Sequence, residues 1–195
     1  LDVSVAELLE CRRISQSEPM SAHQVDKLVK KAITMSEEDP QMRKRRSWKN
    51  GLLLLLCFAI SLGEIGALRH FHQVTSMVFN DLLVAELLSV IFGLYFCLFA
   101  REKLPAYYDE NKISSYSSGV FRMNLAGVYF NNRNWPHIMK AGRNWALSSL
   151  VLMPVLYGLL TLLFQGNPWL VKIVLLLTYL AGLLIPMIYA GKKYE

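Results

Sequence analysis

The stretch RKRRSWKNGLLLLLCFAI, residues 43–60, decides the fold. Its first seven positions carry five basic side chains, and an apolar run without any charged residue follows. Such a junction is typical of a chain that enters a lipid bilayer next to a charged membrane surface. The basic residues are Arg43, Lys44, Arg45, Arg46 and Lys49. We expect them to contact anionic lipid headgroups.

Four apolar blocks predict four membrane-spanning helices. They lie at about residues 51–68, 82–100, 146–164 and 169–190. Each block approaches the roughly 20 apolar residues that cross a bilayer core of about 30 Å. Long leucine-rich runs without period-two alternation favour helices over strands. The sequence therefore predicts an all-α membrane protein, because a soluble core of this length would leave too much apolar surface uncovered.

The distribution of lysine and arginine predicts the orientation of the chain. The segment before the first block, the loop 101–145 and the tail after residue 190 are basic, whereas 69–81 holds only Arg69 and 165–168 holds no basic residue. Basic loops stay in the cytoplasm. We therefore expect a multi-pass protein of a bacterial cytoplasmic membrane, with both termini and the central loop in the cytoplasm.

The first residues, LDVSVAELLECRR, form a short amphipathic pattern in which Ser4 and Glu7 make a capping box. The pattern resembles the closing helix of the Cro/C1-type (XRE family) helix-turn-helix domain. The matching residues are Leu1, Val3, Ser4, Glu7, Leu8 and Leu9. The resemblance implies that residues 1–14 are the remnant of a DNA-binding domain whose groove-reading helices would precede Leu1. It also implies a homodimer, since such regulators read paired half-sites.

Residues 15–50 read as a charged linker that contains a second amphipathic helix. Ser21 and Gln24 form another capping box, and apolar residues follow at helical spacing from Val25 to Ile33. Pro40 is expected to end this helix. One interpretation is an ordinary linker. The other is a helix that dimerises or lies on the membrane and transmits a state between the spans and a DNA-binding domain.

The loop 101–145 is too aromatic to be disordered and too long to be a simple connector. Alternation from Val120 to Leu125 predicts a short hairpin, and Asn134 with Pro136 predicts a capped interfacial helix. We expect a folded cap that either binds a ligand or only folds the loop against the headgroups. The candidate contact residues are Tyr107, Tyr108, Asp109, Glu110, Arg122, Asn131, Asn132, Arg133 and His137.

A second resemblance supports an alternative function. The fragments GVFRMN and NNRNWPHI are similar in style to the loop of bacterial immunity proteins that protect a producer cell from its own secreted killing factor. The glycine-arginine-threonine step of those proteins is not matched. The alternative is therefore an immunity-type or transporter-like multi-span protein without a role at DNA.

Three charged residues lie inside the apolar blocks. Glu64, Glu86 and Lys172 are expected at similar depth, near the end of the bundle opposite the basic loop. Intramembrane charges are costly, so such groups pair with each other or line a path. The two glutamates could share a proton, with Lys172 neutralising one of them. The competing interpretation is a structural salt bridge at the interface.

The sequence predicts no enzyme, no cofactor and no metal site. It contains no nucleophile triad, Walker loop, GxGxxG or HExxH motif. His70 and His72 form an HxH pair without an evident third ligand. Cys11, Cys57 and Cys97 are odd in number and lack metal-binding spacing, so we expect reduced thiols.

Overall fold

A computed structural model describes residues 39–70, 76–118, 121–164 and 167–195. Its helices are α1 (Pro40–His70), α2 (Ser76–Leu94), α3 (Tyr107–Glu110), α4 (Trp135–Leu163) and α5 (Pro168–Lys193), and its strands are β1 (Ser115–Ser118) and β2 (Phe121–Asn124). The predicted remnant at 1–14, the helix predicted from Ser21 to Ile33, Cys11 and His72 lie outside these ranges.

The chain forms four membrane-spanning helices, as the sequence predicts. Helices α1, α4 and α5, and the helical segment Phe79–Phe99 that contains most of α2, are each long and apolar enough to cross a bilayer. Their outward surfaces are covered with exposed leucine and isoleucine side chains. Because such surfaces are unfavourable in water, lipid is the solvent that suits them.

Two of the helices, α1 and α4, begin about three helical turns before the apolar blocks. Pro40 starts α1, so the basic cluster belongs to the same helix as the first span. The helix that Pro40 is predicted to end lies outside the described residues. Proline has no backbone N–H group, and the N–H groups of the first helical turn have no acceptor within the helix. Proline therefore loses no hydrogen bond at this position. Trp135 starts α4, so the predicted interfacial helix continues directly into the third span. Pro154 and Pro186 lie within α4 and α5, where the sequence places them.

The bundle has two chemically different ends. The loop end contains the start of α1, residues 99–140 and the end of α5; the turn end contains the junctions from α1 to α2 and from α4 to α5. At the loop end, α2 continues as a π-helical turn, Tyr95–Phe99, in which Ala100 N–H donates to the carbonyl of Tyr95 at 2.8 Å. The wider turn leaves several carbonyl groups at this end without the usual helical donors.

A hairpin covers the loop end of the bundle. Strands β1 and β2 pair antiparallel with Ser118 opposite Phe121. The structure therefore has a hairpin here, but only its second strand lies in the predicted stretch 120–125, and its first strand precedes that stretch. The ring of Phe121 stacks on Tyr95 with centroids 3.8 Å apart, and Tyr116 packs on Trp135 at 4.3 Å. These ring contacts attach the hairpin to the π-helical turn after α2 and to α4.

Helices α4 and α5 form the tightly packed part of the bundle, and α1 is more peripheral. The ring of Trp145 occupies the space beside Gly182, where a Cβ atom would lie 2.5 Å from the ring. By contrast, the buried residues of α1 are Leu54 and Ser61. A helix with so few buried side chains depends on specific polar contacts to keep its position.

Candidate functional site

The most unusual side chain in the bundle is Glu86 on α2, a carboxyl group that is only 6% exposed. Ser61 on α1 donates a hydrogen bond to Glu86 Oε2 at 2.8 Å. The other oxygen, Oε1, is buried and has no hydrogen-bond partner among the described residues. Since a charged group inside a membrane is costly without partners, this carboxyl group favours the protonated form or a bound cation.

A second hydrogen-bonded group, made of hydroxyl side chains, lies one helical turn from Glu86. Ser89 lies three residues after Glu86 on α2 and therefore on the same helix face. Its Oγ lies 2.8 Å from Ser149 Oγ on α4 and 3.3 Å from the hydroxyl of Tyr179 on α5. We call these three residues, together with the neighbouring pair of Ser61 and Glu86, the polar network; all four spans contribute to it. Each hydroxyl has one proton and can accept others, so the network has several hydrogen-bond arrangements.

Glu64 extends the same polar face of α1. It lies three residues after Ser61, one helical turn nearer the turn end. Its Oε2 is also buried without a hydrogen-bond partner in the described part of the chain. That Glu64 and Glu86 share a proton stays a prediction.

Lys172 does not neutralise either glutamate, in contrast to the prediction. Its Nζ lies 3.1 Å from Asp81 Oδ1, and both side chains are partly exposed. Asp81 precedes Glu86 by five residues, which corresponds to roughly 7 Å along a helix. The pair therefore lies nearer the turn end than Glu86, and the three predicted charges are not all at one depth. Asp81 was missed because it lies just outside the apolar block that defined the second span.

The basic cluster of α1 has a structural role at the end of α2. Arg43 Nη2 donates to the carbonyl of Phe99 at 3.5 Å, and Arg46 Nη2 donates to the carbonyl of Ala100 at 3.4 Å. Ser47 Oγ donates to the carbonyl of Leu98 at 3.4 Å. These side chains supply donors to the carbonyl groups that the π-helical turn leaves exposed.

An ion-pair triad joins α1 to α4 at the same end. Glu102 Oε2 lies 2.6 Å from Arg46 Nη1, and its Oε1 lies 2.8 Å from Arg143 Nη2. One carboxylate thus bridges two arginines and is stabilised by both. Glu102 was not among the predicted site residues. The signal that could have identified it is its place directly after the second apolar block, beside the basic cluster.

Asn132 and Asp109 organise the loop between the second and third spans. The Asn132 side chain accepts a hydrogen bond from Leu104 N–H at 2.8 Å and donates to the Leu104 carbonyl at 3.1 Å. Asp109 accepts hydrogen bonds from the backbone N–H and the side-chain amide of Asn132, at 2.7 and 2.6 Å. These predicted contact residues therefore fold the loop through contacts within the chain.

Asn134 is the central buried residue of the cap. Its side chain donates to the carbonyls of Tyr129 and Gly191 and accepts from Asn131 N–H. It precedes α4, as predicted, but its side chain does not bond to the first turn of that helix. Asn131 accepts hydrogen bonds from the N–H groups of Arg133 and Asn134 instead. The cap is thereby connected to the end of α5.

The remaining predicted contact residues are spread over the cap. Tyr108 is buried and donates to the carbonyl of Ser115 at 3.3 Å, and burial raises the pKa of its hydroxyl. His137 stacks on Tyr194 with ring centroids 3.7 Å apart. Arg122 and Arg133 are exposed to solvent. The residues do not converge on one pocket, which favours the interpretation that they fold the loop.

Metal ligands are not clustered in the part of the chain that the structure describes: no group of three His, Cys, Asp or Glu side chains is placed to hold an ion. Within these ranges Cys57 and Cys97 are free thiols. The chain matches no protein-family model, no curated protein and no solved structure.

Proposed function

We propose that this protein is the membrane-anchoring and signal-sensing part of a bacterial transcriptional regulator of the Cro/C1 type. The observation that carries the proposal is the continuity of α1. This helix has 31 residues and is about 46 Å long at 1.5 Å per residue, longer than a bilayer core of about 30 Å. It therefore extends beyond the membrane at its amino-terminal end as one rigid unit.

The contacts of α1 couple that extension to the rest of the bundle. Arg43, Arg46 and Ser47 contact the end of α2, and the bridge through Glu102 reaches α4. At the other side of the span, Ser61 contacts Glu86. A rearrangement around Glu86 that moves α1 would also move the segment before Pro40, which carries the resemblance to a helix-turn-helix domain. Homodimerisation through that segment would link its position to operator binding.

The orientation belongs to the same proposal. The loop end holds the basic cluster of α1, the basic residues of 101–143 and Lys192 and Lys193. This excess supports a cytoplasmic loop end and an outward-facing turn end. Fusing a reporter that is active only in the cytoplasm after Glu195 tests this arrangement. The reporter should be active, and inactivity would contradict the orientation and the access to DNA that the regulator needs.

Chromatin immunoprecipitation of the protein expressed from its own gene, tagged after Glu195, tests the regulator function. Discrete chromosomal sites with paired half-sites should be enriched. Replacing Glu86 with glutamine should change expression of the neighbouring genes, whereas Glu110→Gln, at an exposed position of the loop, should not. Failure to enrich any specific DNA would overturn the proposal.

Glu64 and Glu86 each have a buried carboxyl oxygen without a partner among the described residues, which favours a second candidate, a proton- or cation-handling membrane protein without a DNA role. Reconstitution into liposomes that contain a pH-sensitive dye tests it. Proton flux that Glu86→Gln abolishes and Glu110→Gln preserves would favour this candidate. If proton-tight liposomes show no proton flux that depends on the protein, proton transport is excluded.

A further inference from the structure

A groove of about 1240 Å³ opens at the loop end between α1, the end of α2 and the segment that follows α2. It is larger than the roughly 300–1000 Å³ of most small-molecule pockets. Its position, at the boundary between the apolar spans and the basic segments, distinguishes it from the polar network inside the bundle. The two halves of the groove differ in chemistry.

The half of the groove nearer the start of α1 is strongly basic. Its lining includes Arg43, Lys44 and Arg45 from α1, and Arg101 and Lys103 from the segment after α2. No acidic residue is among the described residues that line it. Glu102 lies within the same sequence segment, but its carboxylate is held by Arg46 and Arg143. We call these five basic residues of the lining the rim of the groove. No carboxylate among the described residues of the lining neutralises their positive charge.

The half of the groove farther from the start of α1 is apolar. Leucine side chains from α1 and α2 line it, including Leu52, Leu55 and Leu94, which are 64%, 67% and 40% exposed. Trp48 lines the groove between the basic and apolar halves and is 77% exposed. Tryptophan is enriched at the level where lipid headgroups meet acyl chains.

We propose that this groove binds one anionic glycerophospholipid, with its phosphate between the basic groups of α1 and those after α2 and an acyl chain along the leucines. A free phosphate would satisfy only the rim, and a neutral lipid only the apolar half. A basic pocket at the end of membrane helices is a recognised form of anionic-lipid site. The site does not depend on DNA binding, so its test is independent of the proposed function.

The test uses the full chain, purified in mild detergent and examined by native mass spectrometry and by lipid titration. Phosphatidylglycerol and phosphatidylcholine with identical acyl chains are the two lipid probes. We expect one phosphatidylglycerol to stay bound, with phosphatidylcholine binding at least tenfold more weakly. Glycerol 3-phosphate and inorganic phosphate should not displace the lipid, because they lack the acyl chain that occupies the apolar half.

A matched pair of variants separates a defined site from general attraction to a charged surface. The double substitution Lys44→Gln with Arg45→Gln removes two charges from the rim. The control, Lys112→Gln with Lys140→Gln, removes two exposed basic residues that do not line the groove and lie outside the basic cluster of α1. The rim variant should bind phosphatidylglycerol roughly 30-fold more weakly, as expected for two basic groups at a lipid phosphate. The control should bind within about twofold of the unmodified chain.

Three results would overturn the proposal. Equal weakening in both variants would mean that only net charge matters, and equal affinity for phosphatidylcholine would mean that the groove does not select a lipid with a net negative headgroup. If the purified protein retains no phosphatidylglycerol, lipid is excluded as the occupant. Another part of the chain or a second copy would then cover the groove. If the rim variant fails to fold, the comparison of the two lipids and the displacement by glycerol 3-phosphate on the unmodified chain still decide the matter.

Discussion

Glu102 and Glu86 are identical side chains in two regions of the molecule that treat them in opposite ways. Glu102, at the loop end, bridges two arginines with one oxygen for each. Glu86, inside the bundle, accepts one hydrogen bond from Ser61 and has a buried oxygen without a partner among the described residues. At the loop end, both carboxylate oxygens of Glu102 have an arginine partner. Inside the bundle, only one oxygen of Glu86 has a partner among the described residues.

This difference indicates a division of labour between the two regions. A fully paired carboxylate fixes the arrangement of the helices around it and is costly to remove. An incompletely paired carboxyl group adds little stability and responds to protons, ions or helix movement. We therefore expect substitutions at the loop end to lower stability, and substitutions in the polar network to alter response with little loss of stability.

The largest loss of stability is expected for Asn134→Ala at the loop end. The substitution leaves the carbonyls of Tyr129 and Gly191 without their side-chain donor. The free energy of unfolding in detergent micelles should fall by about 3 kcal/mol. Asn124→Ala, at an exposed position of β2, should change it by less than about 0.5 kcal/mol. Equal effects at the two positions would show that the cap is not a stabilising unit.

Glu102→Gln should have the next largest effect. Glutamine has no charge to offer the two arginines, and its amide group would point a donor at one of them. Because the pairs are about one quarter exposed at Glu102, the expected loss is about 1.5 kcal/mol and not the larger cost of a fully buried pair. Chemical unfolding in micelles measures this loss, and Glu110→Gln is its exposed control.

Ser149→Ala tests the network itself. The substitution removes the contact between Ser149 and Ser89, but Ser89 keeps its hydrogen bond to the carbonyl of Ala85 at 2.9 Å. The contact of Ser149 Oγ with the carbonyl of Ala146 at 3.0 Å is lost as well, although the single hydroxyl proton serves one acceptor at a time. Since no buried charge is exposed, the free energy of unfolding should fall by about 1 kcal/mol. A loss as large as that of Asn134→Ala would mean that the network stabilises the fold as strongly as the cap does.

The smallest effect on stability is expected for Glu86→Gln. Glutamine retains an acceptor for Ser61 and removes the cost of a carboxylate inside the membrane. The free energy of unfolding should change by less than about 0.5 kcal/mol or should increase. If this substitution destabilised the protein more than Glu102→Gln, the proposed division between the two regions would be wrong.

Much of the architecture follows from local properties of the sequence. The four spans follow from the length of the apolar blocks, because crossing a bilayer requires about 20 consecutive apolar residues wherever they lie in the chain. The hairpin follows from the alternation of apolar and polar residues, and the start of α4 follows from Asn134 and Pro136. The early start of α1 at Pro40 was not predicted, because the same proline that ends one helix also suits the first turn of the next.

The partners of the charged residues were decided by the tertiary structure. The sequence identified Glu86 and Lys172 as unusual intramembrane charges, but not that Ser61 contacts the first and Asp81 the second. It identified the basic cluster, but not that Arg46 pairs with Glu102. Hydropathy depends on each segment alone, whereas pairing depends on the rotation and depth of one helix relative to another, which packing across the whole bundle determines.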